Sequence, residues 1–261
     1  AIEITRARLL ERAGQVDEAR GVLEQLHEQG VRRRAVQGML AQLLRSQQDW
    51  PALEKLLANS RDLRALPKPE LDGLRQELQV QRLTQDTDPK LAWSRLTRRQ
   101  RRDPVLQAAH ARTLINTGAK DVAERFLRKS IARHWNGELV RLYGHAHSDR
   151  MEDQLHRAEQ WSGSHKDDPD LLMTLARLYL EHNDRDKARG HLLEAVRLGG
   201  SREGYLELGL LLESMGESDK ALQCYRRGLQ SPEVAGQKTI ASEVSTPPVE
   251  LVPVLEAPES R

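Results

Sequence analysis

DLLMTLARLYLEHNDRDKARGHLLEAVRLGG, residues 170 to 200, decides the fold of this chain. Leu172, Leu175, Ala176 and Tyr179 recur at i, i+3, i+4 and i+7, which puts them on one face of a helix. Asn183-Asp184 then supplies a turn, and Ala188, Leu192 and Ala195 form a second helical stripe. Two amphipathic helices joined by so short a turn must fold back on one another. Ala176 and Ala188 are small where the two must approach. The next stretch repeats this plan: Tyr205, Leu208, Gly209 and Leu212, a turn at Gly216, then Ala221, Tyr225 and Gly228. Gly209 holds the small-residue position, where a Cβ would push the paired helix away.

Working outward, seven alanines mark the same place in successive units: Ala19, Ala52, Ala92, Ala123, Ala158, Ala188 and Ala221. Their mean spacing is about 34 residues, the length of a tetratricopeptide repeat. Upstream, Ala7 and Leu10 precede a Gly14 turn and then Ala19, Leu23 and Leu26. Leu40 and Leu43 lead to a helix opened by Trp50-Pro51, and Asp103-Pro104 opens a unit with Ala111, Leu114, a Gly118 turn, Ala123 and Leu127. Two units depart from the plan. Between Asn59 and Pro89 the spacing stretches, with a polar helix expected from about Glu70 to Thr84 and its partner after Pro89. Between about Gly137 and Gly163 the first helix is cut short near Gly144. The spacing predicts an all-α fold over residues 1–230: a right-handed superhelix of antiparallel helix pairs, about seven in number, two of them irregular. Residues 231–261 lose the period, gather proline and glutamate, and read as a disordered tail.

Composition agrees. The chain is 38% hydrophobic, 31% charged and only 3% aromatic, which suits thin two-layer repeats better than a sheet. A single cysteine, Cys224, excludes an internal disulfide. No stretch approaches the roughly 20 apolar residues that span a bilayer. The start inside a helical pattern without Met leads us to expect a longer protein upstream. Net charge is +2, but the tail is acidic and arginine far exceeds lysine.

No phosphate loop, nucleophile elbow or metal-protease signature is present, so neither catalysis nor a metal site is expected. In solenoids of this kind the first helix of each pair lines the groove. Its ninth and thirteenth repeat positions in the regular units are Arg8 and Arg12, Ala41 and Arg45, Arg112 and Asn116, Arg177 and Glu181, Leu210 and Ser214. Five of these ten are arginine, whose planar guanidinium donates two parallel hydrogen bonds to a carboxylate. Arg8, Arg12, Arg45, Arg112, Asn116 and Arg177 are therefore the expected partner-binding residues. The runs Arg32-Arg33-Arg34 and Arg98 to Arg102 read as solvated repeat junctions. Without stacking aromatics beside them, nucleic acid is not an expected partner.

The segment His134-Trp135-Asn136-Gly137-Glu138-Leu139-Val140-Arg141-Leu142-Tyr143-Gly144 resembles the signature of the HemY-type proteins of proteobacteria. Gln154-Leu155, Ala158-Glu159 with Trp161, and His165 through Leu175 continue the likeness. The resemblance implies a tetratricopeptide domain of an inner-membrane protein, anchored by N-terminal helices absent from this chain; of the two sides of the membrane, the cytoplasmic one is favoured for the domain. It further implies a scaffold for enzymes of late protoheme synthesis. A heme or porphyrin carrier is the alternative, with His134, Tyr143, His145 or His147 as axial ligand. A generic peptide-binding solenoid is the third reading.

Overall fold

A computed structural model describes residues 2–30, 33–58, 67–199 and 201–231. Among them the chain forms fourteen α-helices and no strand, an α-solenoid of antiparallel helix pairs. The first pair is α1 (Ile2–Arg12) and α2 (Val16–Glu28), the second α3 (Arg33–Ser46) and α4 (Trp50–Ala58). In the third, α5 (Lys68–Gln85) is long while α6 (Pro89–Ser94) has one and a half turns and gives way to a 3₁₀ turn at Gln100–Arg102. The fourth pair is α7 (Pro104–Asn116) and α8 (Lys120–Arg133), the fifth α9 (Gly137–Gly144) and α10 (Met151–His165), and the sixth α11 (Pro169–Glu181) and α12 (Arg185–Gly199). The last is α13 (Arg202–Ser214) and α14 (Ser218–Gln230). Both irregular pairs fall where the spacing places them.

Local chemistry explains the boundaries. Asp88-Pro89, Asp103-Pro104 and Asp168-Pro169 each open a helix. The aspartate accepts the first free backbone N–H groups, and proline fills a position whose N–H has no acceptor in the helix. Tight turns inside pairs need a left-handed residue. Gly14, Gly118 and Gly216 supply it at φ 76°, 76° and 81°, and Gln48 and Asn183 do the same job at 56° and 58°. The framing alanines are buried, apart from the half-buried Ala52. Buried leucines surround them, and in the first pairs Leu23, Leu40, Leu53 and Leu74 belong to one apolar cluster.

The chain divides into two compact units, the first ending at Gly199, inside the 1–230 stretch. Within the first, the opening helices of successive pairs meet directly from α5 onward: α5 packs on α7, α7 on α9 and α9 on α11. The second unit is the α13–α14 hairpin. There a Cβ on Gly209 would stand 2.3 Å from the Tyr225 ring, which is why this position is glycine. Of the expected tail, 231–261, all but Ser231 lies outside the described residues, as do Arg32 and Asn59.

Candidate interaction groove

The expected arginine ladder is half of a different structure. Arg45 on α3 donates to Glu77 on α5 at 2.6 Å, and Arg112 on α7 to Glu138 on α9 at 2.5 Å. Arg141 on α9 lies 3.2 Å from Asp170 on α11. Gln42 donates to Glu70 at 3.0 Å and Gln76 to Asp103 at 2.7 Å, continuing the series between first helices. Each rung therefore joins a donor on one first helix to a carboxylate on the first helix of the next pair, or on its cap. Exposed pairs of this kind add at most about 1 kcal/mol each. They do neutralise the face on which a free anion would otherwise be held.

The remaining groove positions divide further. Arg177 is only 7% exposed, and its guanidinium donates to the backbone carbonyl of Arg141 at 3.1 Å. Its Cδ also packs over Gly144. Arg177 is thus a strut between α9 and α11 and not a groove contact. Asn116 is exposed at the end of α7, Ala41 is buried, and Leu210 is exposed. Arg8 and Arg12 stand exposed on α1 with no acidic partner among the described residues. The cause lies in α3, whose sequence RRAVQGMLAQLLRS contains no acid. Glu138 and Asp170 are the second residues of α9 and α11, and the second residue of α3 is Arg34. Arg8 follows Ala7 as Arg112 follows Ala111, so the register that sets Arg112 against Glu138 sets Arg8 against another arginine. Arg34 is exposed and likewise has no acidic partner among the described residues. Beside it a cleft of about 400 Å³ opens, lined by Glu11, Arg34, Gly38, Met39, Gln42 and Glu70. Arg34 escaped the sequence reading because it sat in an arginine run at a repeat junction. Comparing second helix positions across units would have found it.

The block from His134 to Trp161 is a packing lock. Trp135 donates its indole N–H to Asp168 at 2.7 Å and stacks on His165 at 3.5 Å, with Trp161 edge-on. The Tyr143 side chain is fully buried beside Trp161 and donates its hydroxyl to Glu124 at 3.1 Å. Gln154, also buried, donates to the Tyr143 carbonyl at 2.6 Å and accepts from the Ser148 N–H at 3.0 Å. Thr174 donates to the Val140 carbonyl at 2.7 Å. Together these bonds replace the contacts that the shortened α9 cannot make.

The four candidate axial ligands fall within or beside this lock. Burial, and secondarily the negative charge of Glu124, push the Tyr143 phenol well above its ordinary pKa, against the phenolate an axial ligand must become. His134 is exposed at the end of α8. His145 is the half-buried C-cap of α9. His147 sits in the following turn with its Nδ1 3.2 Å from Glu181. None of the four lines the cleft beside Arg34, the cleft of about 600 Å³ under α6, or the shallow one at Gly163 to Asp170. No group of three or more metal-ligating side chains exists among the described residues. No helix among them is long and apolar enough to cross a membrane.

Residues 203–233 match the tetratricopeptide repeat family. No curated protein matches the chain. Among solved structures it is similar to a thermophilic TPR protein of Thermus thermophilus, at 22% identity over 62% of this chain and 86% of that one, with a TM-score of 0.46. It is also similar to MamA, at 17% identity over 54% of this chain and 84% of that one (TM-score 0.37). A third is an assembly chaperone of RpL4, at 16% over 87% and 88% (TM-score 0.38). The chain therefore carries a tetratricopeptide repeat at 203–233, within an all-helical array of pairs.

Proposed function

We propose that this chain is a non-catalytic protein-interaction scaffold that takes an acidic segment of its partner at the α1–α3 end of the groove. One observation carries the reading. Where later units close an arginine onto a carboxylate, Arg8 and Arg12 on α1 and Arg34 on α3 have no acidic partner among the described residues, and Arg34 lines an open cleft. Three guanidiniums within two helices suit a peptide bearing two or more carboxylates, because each can bind in a bidentate fashion. The likeness of His134 to Leu175 to HemY-type proteins supports, as the finer reading, a partner among the enzymes of late protoheme synthesis. It equally supports an inner-membrane anchor upstream of Ala1.

The test is capture of cross-linked partners by the full-length protein in cells. Arg8→Glu with Arg12→Glu should reduce capture at least tenfold. Arg34→Glu alone should do the same by installing the missing rung with Arg8. Arg112→Glu, which disturbs an existing rung, should leave capture within about twofold. Capture that survives both Arg8→Glu/Arg12→Glu and Arg34→Glu would overturn the groove reading. Hemin titration is expected to give no Soret shift at micromolar heme. A shift lost on replacing His134, His145 or His147 would move the reading to a carrier.

A further inference from the structure

Twelve of the 44 residues from 90 to 133 are arginine or lysine and only three are acidic, whereas the rest of the chain holds 29 basic residues against 36 acidic. All three acids of the basic stretch are engaged. Asp103 caps α7 and accepts from Gln76, Asp121 accepts from Ser148 and the Asp149 N–H, and Glu124 holds Arg128 and Tyr143. Six of the cations, Lys90, Arg98, Arg99, Arg102, Lys129 and Arg133, are exposed and have no acidic partner among the described residues. The fold gathers them. α6 and α8 meet through Trp93 and Phe126, edge to face at 5.1 Å. Because α7 and α8 are antiparallel, Arg133 at the end of α8 lies at the end where α7 begins, after the turn that carries Arg98, Arg99 and Arg102. That turn is held by other side chains: Arg101 donates to the Ser94 carbonyl at 2.6 Å, and Gln100 accepts the Thr97 N–H at 2.9 Å. On α8, Arg125, Lys129 and Arg133 recur at i, i+4 and i+8, all exposed. Leu91 on α6, next to Lys90, is 46% exposed.

We propose that the face made by α6, the 3₁₀ turn and α8 docks on an anionic lipid surface, its cations on acidic headgroups and Leu91 at the edge of the acyl layer. The observations favour lipid over other polyanions. None of the six cations lines any of the three clefts, so the charge is spread over a surface and not gathered round a slot for one peptide. The aromatics between α6 and α8, Trp93 and Phe126, pack on His110 and on each other instead of standing free for nucleic-acid bases to stack on. An exposed leucine among cations gains from a headgroup boundary and nothing from a phosphate backbone. Clusters of four to eight cations are what anionic bilayers attract, and each is worth about fivefold in binding. The surface shares no residue with the α1–α3 site, so either can fail without the other.

Vesicle co-sedimentation of the 261-residue chain tests the proposal. Vesicles of phosphatidylcholine with about 30% phosphatidylglycerol should bind the parent, and phosphatidylcholine alone should not. Binding should weaken at least tenfold between about 0.05 and 0.3 M salt. Arg98→Glu/Arg99→Glu/Lys129→Glu should bind at least a hundredfold more weakly. These side chains support no other part of the fold, and an unchanged helical circular dichroism spectrum checks that. Leu91→Gln should cost about threefold. The same charge change placed elsewhere, Arg6→Glu/Arg75→Glu/Arg185→Glu, should stay within about threefold of the parent. Equal binding to both vesicle types, or equal losses in the two triple variants, overturns the proposal. So does a DNA duplex of about 20 base pairs that binds this face and that the anionic vesicles fail to displace, which would assign it to nucleic acid.

Discussion

His110 is a structural side chain. It is buried in α7, stacked on Trp93 at 4.5 Å and edge-on to Phe126, so three helices share one aromatic cluster. Burial lowers its pKa from 6.5 to about 4. The unfolded chain therefore takes up a proton below pH 6.5 that the folded chain refuses until about pH 4. Stability from this site is intact above pH 6.5 and falls as the pH drops through that window, by about 3 kcal/mol at most. His191, also lowered by burial, adds in the same direction. Urea midpoints at pH 7, 6 and 5 should show the decline, and His110→Phe should flatten it. At Trp135 the expectation concerns a single bond. Trp135→Phe keeps a ring over His165 but removes the donor to Asp168, at a cost of about 1–2 kcal/mol. Asp168→Ala also removes the cap of α11, and should cost about 2–3 kcal/mol in the same denaturation measurement. None of this was legible in the sequence. The family-like block could be quoted residue by residue, yet the partners of Trp135 and Tyr143 lie 33 and 19 residues away on other elements.

At the scale of elements the sequence was far more transparent. The alanine and leucine periods gave every pair, and the breaks in period gave both irregular ones, because burial on one helix face repeats at 3.6 residues. Glycines separate by what they meet. A Cβ on Gly144 would press on the backbone of Thr174 at 3.2 Å, so Gly144→Ala should cost about 1–3 kcal/mol by parting α9 from α11. Gly190 in α12 faces nothing within 4 Å, and Gly190→Ala should stabilise by about 0.5–1 kcal/mol through helix propensity. Gly209 combines the two behaviours. Its obstacle is a tyrosine ring, held by donation of the Tyr225 hydroxyl to Glu213 at 2.8 Å. Gly209→Ala should destabilise the parent by about 1–2 kcal/mol, yet stabilise a Tyr225→Ala background by about 0.5–1 kcal/mol. Thermal melts of the four proteins decide it; a loss of similar size in both backgrounds would mean that something other than the ring sets the limit.

Across the array, the ladder of rungs could not be read from arginines alone. Repeat positions nine and thirteen supply cations, but the matching acids occur at different positions on the next helix, and a single-unit template does not pair them. Arg112→Glu should cost less than about 1 kcal/mol, since both groups are solvent-facing. The swap Arg112→Glu/Glu138→Arg should restore most of that loss at low salt and less at about 0.5 M. A double-mutant cycle in chemical denaturation at two salt concentrations measures both.

The direction of the rungs has a consequence in time. In each of the rungs described above the donor precedes its carboxylate in the chain, as Arg45 precedes Glu77 and Arg112 precedes Glu138. A chain emerging from the ribosome therefore exposes cations at its growing edge until the following pair is made. At the arginine rungs the edge is basic until the next arrival quenches it. Because α3 brings no acid, Arg8 and Arg12 gain no such partner among the described residues. In the finished protein Arg8 and Arg12 keep the condition that later helices pass through only during synthesis.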